Sequence, residues 1–500
     1  MYTRKFLIWL GCFLCLFFLP LTVSAVEADH AGTTVESVGF SSPYLLKDKN
    51  ERTYTTATGE ASVTVSHPSG VGSLYLVFDK IPGTWTLSDG NQTFSCGQNG
   101  FLHEYVDVES LFGTIPGSLV LTFPGGASID EVYGFTAGEL PGWVQIWLPP
   151  HEEADILLLS SHSDDEQLFF AGILPLYAVE RDLNVQVVYL VHHFDTYNRP
   201  HEQLDGLWTV GVRHYPVISD FPDLYSESLD GAISAFASRG FSFEDFCRYI
   251  TDCLRRFRPQ VVISHDVAGE YGHGTHILCT AALRESLLYA ADPDKYPESV
   301  QQYVLWDVPK TYLHLYAENP IVLDFDVPLE SFGGKTAFQV TQDGFACHKS
   351  QHWTWFHKWI YGTSDAPITR ASQINYLSPC RYGLYRSTVG ADVVGGDFFE
   401  NLTSYAEQTK LREEAMKETE TLPIPEESES LPSVVPETEA EPVTEVNPSD
   451  IQTPPSKREL SPIVFVLIGS IVFILVIFIL LQAALYTNWN KRKQNKRRRK

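Results

Sequence analysis

The chain is 500 residues long and carries 62 Asp and Glu against 36 Lys and Arg, a formal net charge of −26. That length allows two or three domains with ample core. So acidic a chain, with few Lys or Arg outside its far C-terminus, argues against nucleic-acid binding.

In chain order, residues 1–25 read as an export signal: basic Arg4-Lys5, an apolar stretch over 6–19, and small Val23-Ser24-Ala25 for cleavage. Left uncleaved, the same segment would be an anchor. Residues 26–150 turn to Gly, Ser, Thr and aromatics, with alternation over 61–66 and 73–78. Turn signals recur at Gly59, Gly70, Pro82-Gly83, Asp89-Gly90 and Gly125-Gly126. Short strands at regular spacing predict a β-sandwich-like domain. Trp85, Tyr105 and Phe123 are either its core or a sugar-stacking platform, so the domain either binds carbohydrate or packs as a spacer.

Residues 151–400 alternate strand and helix patterns. Strands are predicted over 156–159, 185–191 and 261–264. Helices are predicted near 168–179 (shortened by Pro175), 202–210, 243–257 and 275–289. This order implies α/β: a Rossmann-like, largely parallel sheet with flanking helices and a site at the strand C-termini. The segment 348–359, with three His and three Trp, reads as a helix packing aromatics onto the sheet or as a pocket wall.

Residues 401–460 are rich in Glu, Pro, Ser and Thr, with no aromatic after Tyr405, and are expected to form a disordered stalk. A transmembrane helix is expected over 461–486, where 463–485 are almost wholly apolar. The basic tail, 487–500, is placed in the cytoplasm by the positive-inside rule. The expectation is a single-pass protein of the cell membrane whose N-terminal domains face outward.

Of eight Cys, six follow the N-terminal segment: Cys96, Cys247, Cys253, Cys279, Cys347 and Cys380. None of the six forms a CxxC pair, which argues against a zinc finger. Export would permit disulfides, but spacing assigns none, and Cys279 reads as a core thiol in an apolar helical run.

Two stretches carry chemistry. The first, Asp155-Ile-Leu-Leu-Leu-Ser-Ser-His162-Ser163-Asp164-Asp165-Glu166, delivers imidazole and carboxylates from the end of a buried strand. The second repeats the design: strand 261–264, then His265-Asp266-Val-Ala-Gly269-Glu270-Tyr271-Gly-His273-Gly-Thr-His276. His273 and His276 share one helix face and can address a single point. A catalytic zinc takes three protein ligands and leaves one position for water. His162, Asp165 and His276 would supply two imidazoles and a carboxylate, with Asp164 beside them as a base. His192 and His193, at the same sheet edge, read as packing or pocket lining before ligands.

The first stretch resembles the His-Pro-Asp-Asp-Glu motif of the PIG-L/LmbE-like de-N-acetylases, and the second their Gly-His-x-x-His motif preceded by Asp-x-x-Gly. Arg199-Pro-His-Glu202 with Val210-Gly211-Val212 is similar to the family's Arg-x-x-Glu…Leu-Gly-Val element. Lys335 and His348-Lys-Ser350-Gln351 are similar to its Lys…His-x-Ser-Gln segment. The match runs over about 151–400. It implies metal ligands at His162, Asp165 and His276, a general base at Asp164, and a transition-state-stabilising histidine at His273. Two departures stand out: Ser163 where the family usually has Pro, and Gly274-Thr275 where Pro-Asp is common.

The resemblance implies removal of the N-acetyl group from an N-acetylglucosamine-type sugar, with Zn2+ or Fe2+ as the metal, since His and carboxylate accept both. Around that core, Asp266 is expected to hold His273 and Tyr271 to donate a second hydrogen bond. Arg199 either contacts substrate or pairs with Glu202, and Glu166 orients the loop. The expected partner is an amino-sugar glycan or glycoconjugate. The alternatives are a non-catalytic surface glycan-binding or adhesion protein and a hydrolase of another amide.

Overall fold

The structure is a computed structural model that describes residues 27–421 apart from Tyr197, with side chains to 416. The expected export signal, most of the expected stalk, the expected transmembrane helix at 461–486 and the basic tail lie outside the described residues. Among the described residues, no helix is long and apolar enough to cross a membrane.

The N-terminal part is built on antiparallel strands, with short helical turns at Pro43–Lys47 and Val108–Phe112: β1 (Thr34–Phe40), β2 (Thr55–Ser66), β3 (Ser73–Phe78), β4 (Trp85–Ser88), β5 (Thr93–Cys96), β6 (His103–Asp107), β7 (Ser118–Phe123) and β8 (Ser128–Phe135). Hydrogen bonding runs in the order β5-β4-β7-β2-β8-β3-β6, with β1 on β2. The long β2 joins two ladders: Ala61 to Ser66 pair with β7, while Thr55 and Thr56 pair with β8. The alternation over 61–66 is real burial alternation, whereas β3 is buried at every position. Trp85 and Phe123 are 1 % exposed and stacked on each other at 5.2 Å. They are core, which removes two of the three rings of the candidate sugar platform.

The second sheet contains β9 (Ile156–Ser160), β10 (Val185–Tyr189), β11 (Val217–Ile218), β12 (Val261–Ser264), β13 (Lys310–His314), β14 (Pro320–Val322) and, after a two-residue ladder of β15 (Gly362–Thr363) and β16 (Ala366–Pro367), β17 (Arg381–Ser387). Its order is β11-β10-β9-β12-β13-β17-β14. From β11 to β13 all pairings are parallel; β17 runs antiparallel to both β13 and β14. The sheet is therefore mixed, and its antiparallel return has no local signature in the sequence.

Strand β9 is buried on both faces, as a central parallel strand must be. Ile156 and Leu158 join one apolar cluster, and Leu157 and Leu159 the other. The second cluster is covered by helices Phe243–Phe257 and Gly274–Tyr289. The former starts with a capping box between Ser242 and Asp245 and ends on Arg258 in the left-handed region. Pro175 removes a backbone donor, and the expected helix over 168–179 is replaced by turns and a π-helical segment, Leu174–Glu180.

The first cluster is shared with the N-terminal strands: Val63, Leu74 and Phe123 belong to the same core as Ile156, Leu207 and Phe338. Polar contacts fasten the seam. Phe101 stacks on Tyr215 at 4.4 Å, and the Leu102 N–H donates to the Tyr215 hydroxyl. A buried chain runs from the Tyr75 hydroxyl to His103 (2.7 Å), on to His201 (2.9 Å), and ends on Asp130 (3.1 Å). His201 lies in helix Arg199–Thr209, so the β-rich part braces a helix that leads to the candidate site.

The C-terminal side departs from the expected disorder after 400: Tyr405–Thr421 is helical. Tyr405 anchors it, its N–H on Asp155 and its hydroxyl on the Arg258 carbonyl. Six described cysteines are free, with Cys279 fully buried.

Because the two sheets share one core, Phe101→Ala should lower unfolding free energy by about 3–5 kcal/mol, the range for truncating a buried Phe. Urea denaturation followed by far-ultraviolet circular dichroism checks this; a loss below ~1 kcal/mol would mean the seam is loose.

Candidate metal centre

Strands β9 and β12 are neighbours in the sheet, so the loops that leave their C-terminal ends converge. The first loop carries His162 and Asp165. The second leads into helix Gly274–Tyr289, whose first turn carries His276. His162 Nδ1 lies 3.1 Å from His276 Nε2 and 3.2 Å from Asp165 Oδ2. The third side of this triangle, His276 Nε2 to Asp165 Oδ2, is 3.3 Å. A tetrahedral zinc site with bonds of about 2.0–2.2 Å has ligand-to-ligand edges of about 3.3–3.6 Å. Three buried donors at that spacing, two imidazole and one carboxylate, fit a divalent transition metal.

The surroundings favour positive charge at that point. Burial pulls the His162 imidazole down, but Asp223 and Asp165 outweigh it and push it up to about 10. Asp165 itself, despite burial, is held well below the usual carboxylate range by His276 and His162.

Each of these candidate ligands is oriented from behind. The His162 backbone N–H donates to Asp165 Oδ2 at 2.8 Å. Asp223 reaches the far side of His162, 3.4 Å from Nε2, and lies 3.4 Å from His193 Nδ1. Glu270 is fully buried, and its Oε2 lies 2.8 Å from both His276 Nδ1 and His265 Nδ1. Its Oε1 accepts from His314 at 2.6 Å. No sequence signal assigns roles to Glu270, Asp223, His265 and His314. Glu270 stands in the second stretch and is legible as a carboxylate, but its three imidazoles come from three elements.

Asp164 lies 3.5 Å from the Arg199 guanidinium. Burial pushes its carboxyl up to about 6, with Arg199 pulling the other way. Its backbone sits at φ 138°, a region that only Gly enters readily, at a cost on the order of 1–3 kcal/mol. The Glu166 carboxylate holds it there by accepting the Asp164 N–H at 3.0 Å. Glu166 thus orients the loop, as its place in the motif suggests.

Arg199 does not pair with Glu202. It donates to the Ser163 carbonyl (2.6 Å) and lies 3.2 Å from the Ser163 hydroxyl, while Glu202 pairs instead with Asn198 and Ser350. The Ser163 N–H donates to His193 Nε2 at 3.1 Å, a bond that Pro at this position could not make. Asp223, His193, Ser163 and Arg199 form one connected chain around the loop. Lys335 is exposed and pairs with Asp343, whereas His348 is buried 3.6 Å from Glu166.

His273 faces the triangle, its ring 4.7 Å from His162 and 4.8 Å from His276. Burial, with His162 and His276 adding to it, pushes its imidazole down to about 2, so it is neutral at pH 7. Asp266 does not hold it: Asp266 accepts from the Ala268 N–H, and His273 Nδ1 is buried without a partner. Gly269 sits in the intervening turn at φ 67°. Tyr271 lies beside both histidines, 5.5 Å from His273 and 5.6 Å from His276.

No family model matches the chain. Over 69 residues it is 44 % identical to 1D-myo-inositol 2-acetamido-2-deoxy-alpha-D-glucopyranoside deacetylase 2 of Saccharopolyspora erythraea, covering 14 % of this chain and 24 % of that protein. Over 73 residues it is 36 % identical to the protein of the same name from Frankia casuarinae, covering 15 % and 22 %. The resemblance is to the PIG-L/LmbE-like deacetylases. The chain spans about a quarter of the length of these relatives. Among solved structures it is similar to N,N'-diacetylchitobiose deacetylase from Pyrococcus horikoshii at 15 % identity and a TM-score of 0.32, covering 47 % of this chain and 84 % of that one, a likeness too slight to argue from.

If the triangle is the metal site, Asp165→Ala and His276→Ala each remove a metal-binding donor and should purify with under a tenth of the metal found in the parent. Metal analysis of the purified proteins, with circular dichroism as a fold control, checks this. Full metal content in either variant would place the ion elsewhere.

Proposed function

We propose that the protein is a metal-dependent N-deacetylase acting on the acetamide of an N-acetylglucosamine-type sugar in an extracellular or cell-surface glycoconjugate. The observation that carries this reading is the 3.1–3.3 Å triangle of His162, Asp165 and His276 with the raised carboxyl of Asp164 beside it. The short stretch shared with curated amino-sugar deacetylases supports the choice of an acetamide.

When bound, a divalent metal supplies a Lewis acid for the acetamide carbonyl and acidifies water. Zn2+ suits the donor set, and Fe2+ is accepted by the same ligands. Asp164 takes the proton from the attacking water and returns it to the departing amine. Arg199 and Glu166 hold that carboxylate and its strained backbone in place. His273, neutral because it is buried, donates an N–H to the oxygen that gains charge in the tetrahedral transition state. Asp223 and Glu270 keep the His162 and His276 rings turned inward.

In the same reading, the chain is exported and held at the cell membrane by a single span over 461–486, with its basic tail in the cytoplasm. The residues 26–150 form a sandwich-like module whose part is to brace the catalytic unit.

Asp164→Asn should keep the metal and lose at least about 100-fold in kcat, the scale of a lost general base, measured as acetate release from N-acetylglucosamine-containing glycans. Wild-type-like turnover in that variant would sink the mechanism. The base must be ionised to act, so kcat/KM should fall tenfold per pH unit on the acid side. A nearby cation lowers a carboxyl pKa, so that limb should sit at or below about 6.

A further inference from the structure

Beside the metal triangle the chain builds an aromatic ledge that the deacetylation chemistry does not use. It starts at Tyr271, whose ring is 5.6 Å from His276 and which is 38 % exposed. Trp355 follows, 5.8 Å from Tyr271, and then Tyr376, 6.4 Å from Trp355; these two are 44 % and 62 % exposed. The ledge is built rather than accidental. Tyr271 is held at φ 47°, and the Trp359 indole N–H donates to the Tyr376 carbonyl at 2.9 Å, tying helix Trp355–Tyr361 to the segment that carries Tyr376. Phe356, 4.3 Å from Trp355 and 5.6 Å from Tyr271, backs the two rings from below. Across the site, the Tyr225 ring stands 68 % exposed, 5.2 Å from His273.

We infer that the site takes a linear oligosaccharide rather than a single amino sugar, with Trp355 and Tyr376 stacking the sugar units next to the one whose acetamide reaches the metal, and Tyr271, edge-on to Trp355 at 84°, lining the step between them and the triangle. This rests on the deacetylase reading of the same site. The ledge is continuous with the triangle, so a sugar chain held at the triangle has the ledge beside its next units. Trp and Tyr present flat apolar faces with polar edges. Those faces match the C–H faces and hydroxyl rims of pyranose rings, whereas an acyl chain requires a continuous apolar groove. Exposed rings already held by their neighbours lose little freedom on binding, so the contact area they offer is retained as affinity.

The test is calorimetric titration of the full-length Asp164→Asn protein, loaded with Zn2+, with N-acetylglucosamine and with its β-1,4-linked dimer and tetramer. Affinity should rise at least about tenfold from monomer to tetramer, the equivalent of about 1.4 kcal/mol. Adding Trp355→Ala or Tyr376→Ala should bring the tetramer-to-monomer ratio close to one, while Trp355→Phe keeps most of the rise and shows that the segment still folds. Equal affinity at every length, or a rise that survives both alanine variants, would overturn the ledge. So would a gain seen only with an alkyl glycoside of N-acetylglucosamine, which would make the ledge a lipid contact. Chain-length preference together with no acetate release by the wild-type protein would support the ledge while removing the hydrolase reading, so the two fail separately.

Discussion

Glu270 is a fully buried carboxylate, and a buried charge is tolerated only where partners replace the water it has lost. Three imidazoles do so, His265 and His276 on one oxygen and His314 on the other. Those rings come from the end of β12, the helix that follows it, and the end of β13. Loss of the carboxylate would leave three histidines unoriented at once. Through His276 the same carboxylate turns one corner of the metal triangle inward, and through His265, whose Nε2 accepts the Ser161 N–H at 2.9 Å, it steadies the loop that carries the other two.

The opposite side of the site is supported in a second way. Asp223 bridges His162 and His193, His193 accepts from Ser163, and Arg199 clasps Ser163 and approaches Asp164. Ser163, where the related motif usually has Pro, supplies a donor in place of a rigid ring. Loop stiffness that Pro would confer covalently comes instead from hydrogen bonds. The strained backbone at Asp164 is consistent with this, because such a conformation persists only where its surroundings over-determine it.

The β-rich part belongs to the same mechanical unit. Its core is continuous with that under β9, and the buried relay through His103 and His201 ends on the helix that begins with Arg199. Trp85 and Phe123, which composition alone leaves open as a sugar platform, are used in that core. The exposed rings lie instead at Tyr271, Trp355 and Tyr376, beside the metal point.

Local pattern is enough to place strands 156–159 and 261–264 and helix 243–257, because continuous apolar runs and a capped amphipathic stretch report their own period. The candidate site is legible for a related reason: His162 and Asp165 lie three apart in a loop that directly follows a strand, and His273 and His276 lie three apart where the next strand's loop turns into a helix. What the sequence could not decide is which distant groups stand behind those ligands. Asp223, His193 and His314 reach the site only through strand order, and Asp266, near in sequence to His273, accepts from the Ala268 N–H instead. The antiparallel β17 and the core shared by the two sheets are hidden likewise, since both are pairings between segments far apart in the chain. Sequence alone determined the chemistry of the donors; the tertiary structure decided their second partners, because a hydrogen bond depends on separation in space and not along the chain.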